Sequence, residues 1–94
     1  MPNRRGGGVI YALCFTRMPS VFTKNGFRFF FYTNDHGPLH VHVRKGGGDA
    51  VFDVEPRVRL RESAGMKTTD ILRAEELARE YRPPIISKWH EHFD

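Results

Sequence analysis

Apolar and polar residues alternate along this chain with the period of a β-strand in its first two thirds and with a helical period after about residue 68. Val21-Phe22-Thr23, the pair Asn25-Gly26 and the run Phe27 to Tyr32 spell a hairpin, because both positions of a type I′ turn need positive φ and Asn-Gly supplies it. In Phe27-Arg28-Phe29-Phe30-Phe31-Tyr32 every odd position is phenylalanine, which marks a core face; Arg28, Phe30 and Tyr32 share the opposite, partly apolar face. A second hairpin runs from His40 to Lys45, through a glycine triplet at 46–48, and back from Asp49 to Glu55. A two-residue Gly46-Gly47 turn pairs Val43 with Ala50 and Val41 with Phe52 on the core face. It sets Arg44 against Asp49, His42 against Val51 and His40 against Asp53 on the other. A slip of one residue would oppose apolar to polar side chains, so this register is expected. The triplet lacks the Lys-Ser/Thr and the following helix of a phosphate loop.

Pro56 ends that strand, and Arg57-Val58-Arg59-Leu60-Arg61 predicts a further edge strand with Val58 and Leu60 inward and three arginines outward. Thr68-Thr69-Asp70 offers N-cap residues for a helix from about Ile71 to Tyr81, whose apolar stripe is Ile71, Ala74, Leu77, Ala78 and Tyr81. Pro83-Pro84 stops it, and Pro84 opens a second helix from Ile85 to about Phe93 that buries Ile85, Ile86, Trp89 and Phe93. The expected fold is α+β: an antiparallel sheet of four to five strands, in two hairpins, with two C-terminal helices packed on the Phe-rich face. His40 and His42 should then lie outside the helix-covered core.

Composition narrows the function. The chain has 94 residues, 39% hydrophobic and 13% aromatic, which suits one small domain. Residues 1–17 read as an extension and residues 18–94 as the single domain; Met18-Pro19 resembles a second start. No apolar run approaches the roughly 20 residues of a membrane span, and Val9 to Phe15 is short for a signal core with no small-x-small site after it, so a cytoplasmic protein is expected. Cys14 is alone, which excludes an internal disulfide and a multi-cysteine zinc site. The net charge of +4 belongs mainly to Arg4, Arg5 and Arg17; from Met18 onward 12 Lys/Arg face 11 Asp/Glu, so bulk charge does not announce a nucleic-acid binder.

The chemistry-bearing segment is Asn34-Asp35-His36-Gly37-Pro38-Leu39-His40-Val41-His42-Val43, with three of the five histidines in seven positions. His40 and His42 project from one strand face. Three readings follow. As a metal site they are two ligands, with His36, Asp35 or Asp53 as a third; a four-ligand structural zinc site needs the 34–39 loop to fold back over the strand, so no tightly held metal and no cofactor is expected. As a metal-independent catalytic pair for RNA, His40 and His42 would act with Asp53 orienting and Tyr32 supporting, while Arg28, His36, Arg44 and Lys45 bind substrate or partner. As an interaction surface, the same face would meet another protein or a second copy of the chain. His90 and His92, two apart on a helix, point about 200° away from each other and cannot share an ion.

Met18-Pro19-Ser20-Val21-Phe22, the Phe27–Tyr32 run, Asn34-Asp35-His36, Pro38-x-His40-Val41-His42-Val43, Ala50-x-Phe52 and Trp89-His90-Glu91-x-Phe93 together resemble a bacterial domain-of-unknown-function family, number 4160. The resemblance covers about residues 18–94, leaving the 17-residue extension outside it. In relatives the C-terminal helix looks more continuous than Pro83-Pro84 allows here. The resemblance implies a small protein encoded by a neighbouring gene as partner and a role in a toxin–antitoxin-like pair; it implies no established reaction. The expected function is therefore action through that partner, with RNA cleavage or binding at the histidine face as the alternative.

Overall fold

The computed structural model describes residues 20–32 and 35–93; the extension at 1–17 and the Met18 start lie outside the described residues. Five strands form one antiparallel sheet in chain order: β1 (Ser20–Lys24), β2 (Phe27–Phe30), β3 (His40–Lys45), β4 (Gly48–Asp53) and β5 (Arg59–Ala64). Two helices follow, α1 (Thr68–Glu80) and α2 (Arg82–Phe93). This is the α+β fold expected from the sequence.

Both hairpins form as their turn residues dictate. Asn25 and Gly26 take φ of 54° and 82°, and the β3–β4 register pairs His40 with Asp53, Val41 with Phe52, His42 with Val51, Val43 with Ala50 and Arg44 with Asp49. Gly48 meets a closer constraint: a Cβ there would stand 2.7 Å from the Gly65 carbonyl oxygen and from Met66 Cα, so the turn before α1 packs directly on the β4 backbone.

One face of the sheet is the core. Phe27, Phe29, Phe31, Val41, Val43, Ala50 and Phe52 are buried there against Ala74, Leu77 and Ala78 of α1 and Ile85 and Trp89 of α2. Each such side chain removed from water contributes roughly 1.5–3 kcal/mol, so this layer supplies most of the cohesion. Phe22 stacks on Phe29 at 4.4 Å and touches Tyr81, closing the β1 edge. Arg82 fastens α2 to the end of the sheet, its Nε donating to the Val54 carbonyl at 2.8 Å and its Nη2 to that of Pro56 at 3.1 Å. Lys45 bonds Asp70 in the first turn of α1 at 3.2 Å.

Three local expectations are corrected. The first helix begins at Thr68, capped by the extended backbone of Lys67 with no side-chain bond, so Thr68, Thr69 and Asp70 are its first turn rather than its cap. The second begins at Arg82, which puts Pro83 and Pro84 both in the first turn, where a missing N–H costs little. The fifth strand starts at Arg59, later than expected: Val58 is buried just before it, but Leu60 is 42% exposed because it lies on the sheet edge beyond the helices. A bulge opposite Val51 and Phe52 leaves Arg61 as the extra residue of β5, between partners Leu60 and Glu62.

Candidate functional site

The uncovered face of the sheet carries Phe30 from β2, His40, His42 and Arg44 from β3, Asp49, Val51 and Asp53 from β4, and Glu62 from β5. Burial here is achieved by polar groups. Phe30 is fully buried, yet what covers it are the guanidiniums of Arg28 and Arg44, 5.0 and 5.4 Å from its ring, with Tyr32 edge-on at 5.4 Å and His42 stacked at 5.5 Å. Arg44 is held by Asp49 at 2.8 Å, which raises its pKa further above its ordinary value.

Asp35 lies over this face, tied to Tyr32. The Asp35 backbone N–H donates to the Tyr32 carbonyl at 3.0 Å, and the Tyr32 N–H donates to Asp35 Oδ2 at 2.9 Å. This reciprocal pair fixes the carboxylate above β3. Its Oδ2 lies 3.0 Å from His42 Nε2 and its Oδ1 3.3 Å from His40 Nε2. His40 Nδ1 in turn donates to the Pro38 carbonyl at 2.8 Å. A carboxylate and two imidazoles thus converge, their ligand-type atoms all within 4.8 Å of one another. The His40 and His42 rings stand 5.2 Å apart, and Trp89 of α2 packs 5.3 Å from His40, so the end of the helix layer supports the buried imidazole from behind. Burial, the largest influence, lowers the pKa of His42 below 6.5, and neighbouring His40 and Arg61 push the same way; Asp35 opposes them.

The group forms part of the wall of a solvent-open cavity of about 340 Å³, lined also by His36, Gly37, Val51, Arg61 and Glu62. The structure sorts the predicted site residues accordingly. His40 and His42 are at the centre, Tyr32 touches His42 edge-on at 4.5 Å, and His36 sits exposed on the cavity wall. Arg28 and Arg44 lie beside it over Phe30. Asp53 is opposite His40 in register as expected, but its carboxylate is taken by Arg61 at 2.6 Å, and Asp35 is the acid that reaches the imidazoles. Lys45 is on the helix side, bonded to Asp70 and 4.6 Å over Phe27, away from the cavity. Arg61 and Glu62 were not among the sequence candidates; the bulge that brings Arg61 here has no sequence signature.

With this geometry in view, comparison with known families gives one finding. The family described as "Domain of unknown function (DUF4160)" matches residues 26–90. The chain belongs to this family. Neither the curated proteins nor the solved structures provide a match. The matched span takes in β2 through most of α2, and therefore Asp35, His40, His42, Arg61 and Trp89 together. No helix among the described residues is long and apolar enough to cross a membrane.

Proposed function

We propose that this member of the family is the working half of a toxin–antitoxin-like pair, with RNA phosphodiesters as its substrate class and a small partner protein as its regulator. The observation that carries the reading is the meeting of Asp35, His40 and His42 in the wall of an open cavity on the uncovered face of the sheet. A surface made only for association has no need to gather two imidazoles and a carboxylate, since partly desolvating such groups is unfavourable. Transesterification of RNA needs a group that takes the proton of the attacking 2′-hydroxyl and one that returns a proton to the departing 5′-oxygen as the phosphorus–oxygen bond breaks. The cluster holds groups of both kinds. Arg61 beside it offers a cation to the phosphate, and Tyr32 an aromatic ring to a base. A partner seated on the uncovered face would shut the cavity and silence the site.

The test is expression with and without the neighbouring gene product, followed by inspection of cellular RNA. Growth arrest with RNA cleavage, lost in His42→Ala and relieved by the neighbour, is the expected result. A chain that neither binds the neighbour nor alters RNA or growth overturns the reading.

A further inference from the structure

With a neutral His40 ring, one separation in the cluster sets two acceptors face to face. A carbonyl oxygen can only accept, so His40 Nδ1, 2.8 Å from the Pro38 oxygen, carries a proton. In the neutral ring Nε2 then presents a lone pair, and what it faces at 3.3 Å is Asp35 Oδ1, another acceptor in the ionised carboxylate. The second oxygen, Oδ2, already receives the Tyr32 N–H and lies 3.0 Å from His42 Nε2. Acceptor against acceptor at this separation is relieved by a cation between them, a second proton on the ring or a metal ion bound by both groups.

We propose that the cation is a divalent transition metal, held by His40 Nε2, His42 Nε2 and the Asp35 carboxylate. Donors around a tetrahedral zinc ion with bonds of 2.0–2.1 Å stand about 3.3 Å apart, and cis donors around an octahedral ion about 2.9 Å. The two carboxylate–imidazole separations, 3.3 Å to Oδ1 and 3.0 Å to Oδ2, are of this order, and the three ligand atoms lie within 4.8 Å of one another, so a small closing movement would bring them onto one ion. The outer partners match what a metal ligand needs. The Pro38 carbonyl fixes the His40 tautomer that leaves Nε2 free to coordinate, and the Tyr32 N–H orients the carboxylate. Two histidines and one carboxylate leave coordination positions over, and the cavity wall where Arg61 and His36 stand is open to solvent. That is the form of a catalytic centre rather than a structural one: a bound water or a phosphate oxygen would complete it. From the sequence no held metal is expected, because a further ligand depends on the direction of the 34–39 loop; in the structure Asp35 stands beside both imidazoles and supplies that ligand.

This inference rests on the cluster being the working site, but it is read by metal binding itself and not by RNA cleavage. Full-length, tag-free protein stripped of metal is titrated with zinc chloride in a calorimeter, and anaerobically with iron(II). One site per chain is expected, with affinity falling by about 100-fold or more in His40→Ala, His42→Ala and Asp35→Asn. Asp35→Asn keeps an oxygen for the Tyr32 N–H, so its fold, checked by circular dichroism, survives the loss of the ligand charge. The double variant His90→Ala/His92→Ala should bind as the parent does. Absence of binding by both metals overturns the inference, and so does binding that persists in Asp35→Asn but disappears with His90 and His92. One tight zinc site without RNA cleavage upholds it and overturns the RNA reading alone. RNA cleavage at full rate in chelator, with no metal bound, does the reverse.

Discussion

The two faces of the sheet are made from the same strands and held by opposite means. On the helix-covered face Val41, Val43, Ala50 and Phe52 disappear into an apolar layer in which no single contact is directional. On the other face, one residue along each strand, His42, Arg44 and Asp49 are only partly buried, and each is fixed by a specific partner. Even the buried Phe30 there is covered by two guanidiniums together with the rings of Tyr32 and His42. The difference teaches where tolerance lies. The covered face sets stability through volume, whereas the open face sets the positions of charges and lone pairs and contributes far less to holding the chain together.

Cutting the covered face should give the largest effect. Phe52→Ala leaves a cavity in the apolar layer and is expected to cost about 3–5 kcal/mol in a urea unfolding curve, close to the whole stability of so small a domain. A loss under about 1 kcal/mol would mean the layer is loosely packed. Gly48→Ala comes next, at roughly 1–3 kcal/mol, because the added carbon meets backbone atoms that have no rotamer to change. An unchanged midpoint would show that the turn at Gly65 does not rest on β4.

The open face should reveal itself through pH. Burial lowers the His42 pKa from 6.5 in the native protein, against the opposing pull of Asp35 and with His40 and Arg61 adding to the shift. The unfolded chain therefore takes up the proton first on acidification. The contribution is present above 6.5 and is lost as pH falls through the lowered native value. Chelator-treated protein should accordingly lose urea stability as the pH falls below 6.5, and His42→Gln should flatten that part of the slope. An identical slope in the variant would place the dependence elsewhere. Smallest of all is Arg61→Ala. Its pair with Asp53 is about a third exposed on each side, so a change of about 0–1 kcal/mol is expected, even though the cavity loses its nearest cation. A loss well above that would make Arg61 part of the framework.

The parts of this molecule legible in the sequence are those with a short-range physical cause. Asn25-Gly26 demands its turn, and the alternation of His and Val against Ala50, Val51 and Phe52 admits one register. The helix stripes follow from Ala74, Leu77, Ala78, Ile85 and Trp89. What escaped depends on contacts between segments. Leu60 alternates like an inward residue, but the helices do not extend to cover β5. Asp53 stands opposite His40, yet the bulge gives its carboxylate to Arg61. Asp35 was one of three residues, with His36 and Asp53, that could join the histidines. Only the reciprocal bonds with Tyr32 select it.

On the open face His40 Nε2 points toward the Asp35 carboxylate, in position to share a metal ion with it and with His42. Long-range ¹⁵N–¹H correlation of the imidazoles, recorded before and after one equivalent of zinc, tests it most directly. The account predicts a His40 ring protonated at Nδ1 in the metal-free protein, with the Nε2 resonances of His40 and His42 both moving on zinc addition while His40 Nδ1 keeps its proton. A His40 ring protonated at Nε2, or at both nitrogens and indifferent to zinc, would contradict it.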